Sequence, residues 1–547
     1  MMAETTLAVS VWYTLLLCLL AGVAVLLTLK TKSIASGHGA GGVNLPPGPR
    51  PLPVMGNLHS LLGALPHHAM RALARRYGDV VLLRLGHVPT VVVSSPEAAR
   101  EVLRTHDAVV SNRPLYVTAD ILSYGGQNIA FAPSGSPHWK ELRRLCATEL
   151  LSPRRVLSFR PIREEEAASL VRSIATAAAS SSSPAVVNVS ERVKVLMNDV
   201  LMRCAVGDRC PMRDEYIAAL DEALRLLAGF NLVDLFPRSR LAGALGAGAL
   251  RAAREVHDRV HRIVQAIIHD HASKAANNDG EGSGDDDDDD ILDVLLRLQR
   301  DGGLETVLTT EVVCAVLFFQ FFHQDVFAAG SETTATTTIW AMSELAKNPS
   351  VMQRAQSEVR RVLQGKTRVA EADIQGRRLP YLQAVIRETL RLHPPLPLIL
   401  PRSCAEPITI MGHDVPAGTT VFVNAWAIGR DERWWPDAGE FKPERFDGDG
   451  DGEGMVDFSG GDFRFLPGGG GRRMCPGLTF GMANIEMALV SLLYHFDWEL
   501  PGGADPGELD MDEAYGITAR RKTDLVLKAT PFVCPHELVN SFPCTFS

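Results

Sequence analysis

One cysteine in this chain stands where it could do chemistry. In Gly470-Gly471-Arg472-Arg473-Met474-Cys475-Pro476-Gly477 a glycine run, with no Cβ to intervene, lets the backbone turn sharply and come within contact distance of a ligand. Pro476 suits the first turn of a helix, where its missing N–H is not needed, and residues 478–495 (LTFGMANIEMALVSLLYH) read as a long apolar-rich helix. Cys475 is therefore expected at a helix N-terminus, where the dipole and free N–H groups stabilise a thiolate. A lone thiolate so placed is either a nucleophile or an axial metal ligand; a buried, inert cysteine is the plain alternative.

Three other groupings carry chemistry. Ala329-Gly330-Ser331-Glu332-Thr333-Thr334 sets a carboxylate beside two hydroxyls, midway along a helix expected from Thr309 or Thr310 to about Lys347, where Asn348-Pro349 stops it. Such side chains compete for backbone bonds, kink a helix and open a small polar pocket, although a hydroxyl inside a long helix more often bonds the carbonyl four residues back. Glu388 and Arg391 lie three apart on the helix expected over 380–393 and so share a face, with Arg445 a candidate third partner. A carboxylate between two guanidiniums can be buried as a satisfied network; an exposed ion pair is the plainer reading. Trp139 and Arg143, one turn apart, place an indole N–H beside a guanidinium, two donors suited to an anion, unless the Trp is core and the Arg is surface.

The elements that must position these groups are mostly helical. Helices are expected over 67–77, 164–178, 193–206, 213–228, 247–271 and 291–300, with Ser95-Pro96 as the N-cap and first residue of another. Residues 80–94 read as a β-hairpin, and short strands are expected within 408–423 and over 525–528. No internal repeat at solenoid spacing is present.

Composition narrows the class. Nine scattered cysteines, an odd number, argue against a disulfide framework and for a reducing compartment. Of the net charge of −9, eight negative charges come from Asp279, Glu281 and the run 285–290, so the body is close to neutral and 275–290 is expected to be a disordered surface loop. Residues 7–29 carry no charged residue, and at ~1.5 Å per residue they cover the ~30 Å hydrocarbon layer. Lys30 and Lys32 follow this run while Glu4 precedes it, which puts the rest of the chain in the cytosol and leaves the Asn188-Val189-Ser190 sequon unused. Residues 37–42 are glycine-rich and 45–53 proline-rich, a hinge between anchor and body.

Taken in order along the chain, these motifs resemble the haem-thiolate cytochrome P-450 superfamily, specifically the membrane-anchored plant enzymes of specialised metabolism, over residues 7–530. The resemblance implies a mainly α fold with a small β region behind a single N-terminal transmembrane helix, haem b as cofactor, and Cys475 as the proximal ligand of the haem iron. By the same resemblance Glu332 and Thr333 guide protons to bound dioxygen. Glu388, Arg391 and Arg445 form a structural triad behind the haem, and Trp139, Arg143, Arg402 and Arg473 hold its propionates. Substrate-contact segments fall at 116–129, 226–235, 324–334, 396–400 and 513–518. Leu396, Leu398, Ile399, Leu400 and Ile517 make that pocket apolar, which suits a small lipophilic substrate such as a terpenoid, phenylpropanoid or alkaloid. The resemblance also implies electrons from a separate NADPH-dependent reductase on the same endoplasmic reticulum membrane; the chain has no G-x-G-x-x-G after a strand and so no evident dinucleotide site of its own, and no nucleic-acid partner is expected.

Three departures from the family pattern stand out. Gly468 replaces the aromatic ring usual seven residues before the cysteine, with Phe465 three positions further upstream, so the thiolate is expected to be less shielded. Lys140 replaces an arginine and loses a bidentate donor. Residues 319–324 look like six additional residues that would rotate the upstream part of the long helix by ~240° and shift it by ~9 Å. The leading expectation is a monooxygenase acting on a lipophilic metabolite. The alternatives are a haem-thiolate isomerase or dehydratase, against which the retained Glu332-Thr333 argues, and a non-catalytic haem-binding protein disabled by 319–324 and Gly468. The tail, 531–547, has no reading.

Overall fold

The computed structural model describes residues 43–126, 128–179, 185–210, 212–278, 290–301, 329–376, 378–446, 458 and 460–532. The readings made on 7–29, 37–42 and 319–324 lie outside the described residues. No helix among the described residues is long and apolar enough to cross a membrane.

Most of the described residues are helical, and two helices organise them. The helix Thr334–Lys347 is buried from Thr334 through Leu345, and it packs against Leu478–His495, Val189–Val206 and Pro380–Leu392. Its polar residues tolerate burial because they bond within the helix: Thr337 and Thr338 donate to the carbonyls of Thr333 and Thr334, and Ser343 to that of Ile339. Leu478–His495 matches its expected bounds and contributes Ile485, Leu489, Val490 and Leu493 to the main core, where each fully buried aliphatic side chain contributes ~1.5–3 kcal/mol.

The sheets are small and lie at the edge. Strands β1 (Val80–Leu85) and β2 (Val88–Val93) form the expected hairpin through a two-residue turn that contains Gly86 at φ +61°. A sheet in the order β1-β2-β7-β4 is completed by β4 (Arg402–Ser403) and β7 (Thr420–Val423), the latter parallel to β2. Between those two in sequence, β5 (Ile408–Ile410) and β6 (His413–Val415) pair separately. A third sheet, in which β3 (Ala185–Asn188) and β8 (Phe496–Glu499) flank β9 (Val526–Pro531), joins three distant parts of the chain; β3 and β8 were not foreseen.

Ser95 caps its helix as expected, its Oγ accepting from the Ala98 N–H at 3.3 Å. Several helices run longer than their periodicity suggested, to Arg160–Ala179, Val189–Val206 and Ala247–Asn278. That last bound moves only the edges of the expected loop at 275–290: 275–278 close a helix and Asp290, only 9% exposed, bonds His271 at 2.8 Å, while 279–289 lie outside the described residues. The proline-rich segment is also no free hinge: the Pro47 carbonyl accepts from Leu82 N–H and the Asn44 backbone N–H donates to Asp414. At the other end Pro531 belongs to β9, and Phe532 donates its N–H to His495, so the tail begins later than expected.

Candidate active site

The glycine run is bent as its sequence suggests. Gly471 sits at φ +67°, and a Cβ there would lie 2.3 Å from the Leu103 carbonyl oxygen and 2.5 Å from Asp107 Oδ1, so only glycine fits. The Arg472 N–H donates to Asp107 Oδ2 at 2.8 Å, and the Cys475 N–H donates to the Gly468 carbonyl at 3.0 Å, closing the loop around the thiol. Arg402 clamps this cradle from behind, donating to Asp107 Oδ1 and to the Gly470 carbonyl, both at 2.7 Å. Pro476 stands just outside the helix, which begins at Leu478 with Gly477 as its N-cap, so Cys475 lies two residues before that N-cap.

Cys475 opens onto a cavity with about 1130 Å³ of empty space, part of it continuous with the solvent. Leu390, Leu396, Ile399, Leu400 and Ile485 make much of its wall apolar, and Gly330, Thr333 and Thr334 line the side formed by the central helix. Leu398 and Ile517, expected in this pocket, are not on its wall: Leu398 packs against the cluster of Met70, Leu83 and Phe422, and Ile517 against Leu220 and Leu224.

Three guanidiniums gather at one edge. Arg473 and Arg113 both donate to the Ala130 carbonyl at 3.2 Å, and Arg473 and Arg143 both lie over the Trp139 ring, at 4.7 and 5.9 Å from its centroid. All three line the cavity. The Trp139 indole N–H donates to the Ile129 carbonyl at 2.9 Å, so it supports this edge and does not face the cavity. Arg402 is likewise off the wall, although its buried Nε has no partner among the described residues; burial lowers its pKa, with Asp107 opposing. Lys140 is exposed, so that departure costs the cavity nothing. Arg113 was missed by the sequence reading, because no spacing ties it to Cys475.

The central helix breaks regularity where the hydroxyl-rich motif lies, with a π-helical turn over Ala329–Thr333. Thr333 faces the cavity, but Glu332 does not. Glu332 is 5% exposed, and its Oε1 accepts from Thr336 Oγ1 at 3.3 Å and Thr518 Oγ1 at 3.5 Å and lies 3.4 Å from Arg520 Nε. Burial pushes its carboxyl up to about 6, against the pull of Arg520.

Behind the cavity the expected network is closed. Arg391 grips Glu388 with Nε–Oε2 at 2.6 Å and Nη2–Oε1 at 2.7 Å, Arg445 Nε reaches Oε1 at 3.2 Å, and the Lys442 N–H adds 2.8 Å. The remaining Arg391 donors reach the carbonyls of Gly429, Ala438 and Glu440.

The family model for Cytochrome P450 matches residues 46–527, and the chain belongs to that family. It is 45% identical over 498 residues to a desmethyl-deoxy-podophyllotoxin synthase of Sinopodophyllum hexandrum, covering 91% of this chain and 93% of that protein. An ent-cassadiene hydroxylase of Oryza sativa subsp. japonica is 44% identical over 523 residues, covering 95% and 98%. A solved zebra fish cytochrome P450 with progesterone aligns with a TM-score of 0.69 at 26% identity, covering 85% of this chain and 99% of that one. The protein is thus a P450 monooxygenase of the plant specialised-metabolism type, with haem b as its cofactor. The residues fit that group: one thiol, apolar walls and three cations at one edge to meet two carboxylates.

Proposed function

We propose that this enzyme inserts one oxygen atom into a small terpenoid-like substrate, with Cys475 as the residue that would hold the haem iron. When bound, the haem supplies dioxygen activation, and the thiolate's electron donation favours O–O cleavage. Arg113, Arg143 and Arg473 would hold the haem carboxylates, with Trp139 and Arg402 keeping those guanidiniums and the cradle in place. Leu396, Ile399 and Leu400 orient an apolar skeleton, and Thr333 presents a hydroxyl to the reacting centre while Glu332 supplies it with protons. Electrons come from a membrane-bound NADPH-dependent reductase, and residues 7–29 anchor the chain in the endoplasmic reticulum with the body cytosolic.

The observation that carries this reading is that the Cys475 thiol, the Thr333 hydroxyl and three guanidiniums share one mostly apolar cavity. The test is the spectrum of the reduced, carbon monoxide-bound protein, followed by turnover of ent-cassadiene and 5-epiaristolochene, the compounds in the names of similar enzymes. A thiolate-type Soret band that is lost in Cys475→Ser, with reductase-dependent oxygenation of a terpene, is expected. An imidazole-like or absent band in the wild type would overturn the assignment and favour a non-catalytic protein.

A further inference from the structure

Two imidazoles and a carboxylate meet away from the cavity of Cys475. His67 and His68 are consecutive in the first turn of the helix Pro66–Tyr77, and Glu513 reaches them from the C-terminal part of the chain. His67 Nε2 lies 2.6 Å from Glu513 Oε2, and His68 Nε2 lies 3.3 Å from that same oxygen. The side chains of His67 and Glu513 are 5% and 6% exposed, whereas that of His68 is 40% exposed and gives the cluster a way in from solvent. None of the three lines the main cavity.

The cluster is more than a hydrogen-bonded pair. His67 and Glu513 bond each other, yet His68 also turns its Nε2 inward, where that atom is buried with no hydrogen-bond partner among the described residues. The Trp426 indole N–H donates to Glu513 Oε1 at 3.2 Å, which orients the carboxylate and leaves Oε2 to the two imidazoles. Both rings pack on Trp426, with centroids 5.2 Å away for His67 and 4.2 Å for His68, and the three donor atoms all lie within 4.8 Å of one another. Two histidines and one glutamate converging on a point are a donor set that suits zinc. Arg430 and Arg71, at 4.0 and 5.3 Å from the Trp426 centroid, and the positive end of the helix oppose a further cation and weaken its binding.

We propose that His67, His68 and Glu513 form a binding site for a zinc-class divalent cation, with water in the fourth position. Binding changes no oxidation state. The His67 ring proton moves from Nε2 to Nδ1, and the 2.6 Å contact of His67 with Glu513 opens by about 0.7 Å to the ~3.3 Å donor spacing that bonds of ~2.0–2.1 Å impose on a tetrahedral ion. The ion enters on the side where His68 is exposed. It ties the helix Pro66–Tyr77 to a residue 446 positions further along the chain, so it stabilises the folded state, in which alone the three donors meet.

Zinc chloride titrated into the untagged, haem-loaded full chain tests the site, with bound metal measured by competition against a chromogenic chelator. One equivalent is expected to bind and to raise the thermal midpoint, and X-ray absorption at the zinc edge should show two imidazoles, further light ligands and no sulfur. His68→Gln should weaken binding by about tenfold or more and remove the rise in midpoint, with the haem spectrum unchanged. Glu513→Gln should do the same, and if that variant does not fold, the half-exposed His68 decides alone. Magnesium, which prefers an octahedron of oxygens, should leave the midpoint where it is. Unchanged zinc affinity in His68→Gln, or an absorption spectrum showing sulfur or a single imidazole, overturns the proposal. Neither result depends on the monooxygenase reading.

Discussion

Glu388 and Glu332 are buried glutamates on helices that pack together, and they are held in opposite ways. Glu388, wholly inaccessible, receives two bonds from Arg391, one from Arg445 and one from the Lys442 backbone. Glu332 has two hydroxyls and one guanidinium at 3.3–3.5 Å, with a cavity on either side of its helix. Burial alone therefore does not decide what a carboxylate does. A full set of short, charge-assisted bonds fixes it as a strut, whereas a sparse set beside open space leaves it able to titrate.

The same substitution at both positions gives the largest contrast. Glu388→Gln leaves two guanidiniums facing an amide and should cost ~3–5 kcal/mol, read as loss of folded, haem-loaded protein or a collapse in the denaturation midpoint. Glu332→Gln should fold normally, and its stability relative to wild type should depend on pH. A carboxyl raised from 4.5 to about 6 contributes stability that is present below pH 4.5 and is lost as pH rises through 6. The variant should therefore gain about 2 kcal/mol on wild type between those limits, measurable by urea denaturation across the range. Equal losses at both sites would erase the distinction between strut and titrating group.

A second contrast, smaller in effect, lies within the glycine cradle. Gly471→Ala forces a side chain into a left-handed position against the Leu103 carbonyl, which should cost about 2 kcal/mol and lower haem content in parallel. A variant with unchanged haem content would show that the cradle yields more readily than its contacts with Asp107 and Arg402 suggest.

How much of this was legible from sequence varied with the distance between the residues concerned. The helix Leu478–His495 and the β1–β2 hairpin were readable because periodicity and turn chemistry are local. Glu388, Arg391 and Arg445 were grouped because their residue types can be buried together only as a network. The sequence did not disclose that Arg402 serves Asp107, that Trp139 spends its N–H on Ile129, or that Arg113 completes the cationic edge. Those facts depend on tertiary contacts, from ten residues apart for Trp139 and Ile129 to 295 for Arg402 and Asp107, for which spacing carries no signal. Nor could it show that Leu398 and Ile517 turn away from the cavity, since an apolar residue in a loop gives no direction. The sheet that joins β3, β8 and β9 was half hidden for the same reason, because two of its strands are only four residues long.

Gly468 offers the finest adjustment. Unlike Gly471 it needs no left-handed conformation, and a Cβ there would meet Cys475 Cβ and a Leu478 methyl at 3.5 Å, an ordinary contact distance. Phe465, three residues upstream, is committed elsewhere, packed among Phe446 and Phe458 with centroids 5.5 and 5.7 Å away. Position 468 itself therefore offers the thiol no ring, although its backbone would accept a side chain. Gly468→Phe should settle beside Cys475 and Leu478 and stabilise the haem-loaded state by about 1 kcal/mol, on the scale of partly burying a ring. Haem retention and survival of the thiolate Soret band in rising urea would measure it. Unchanged retention would mean that Leu478 already shields the thiolate and that this opening has no energetic consequence.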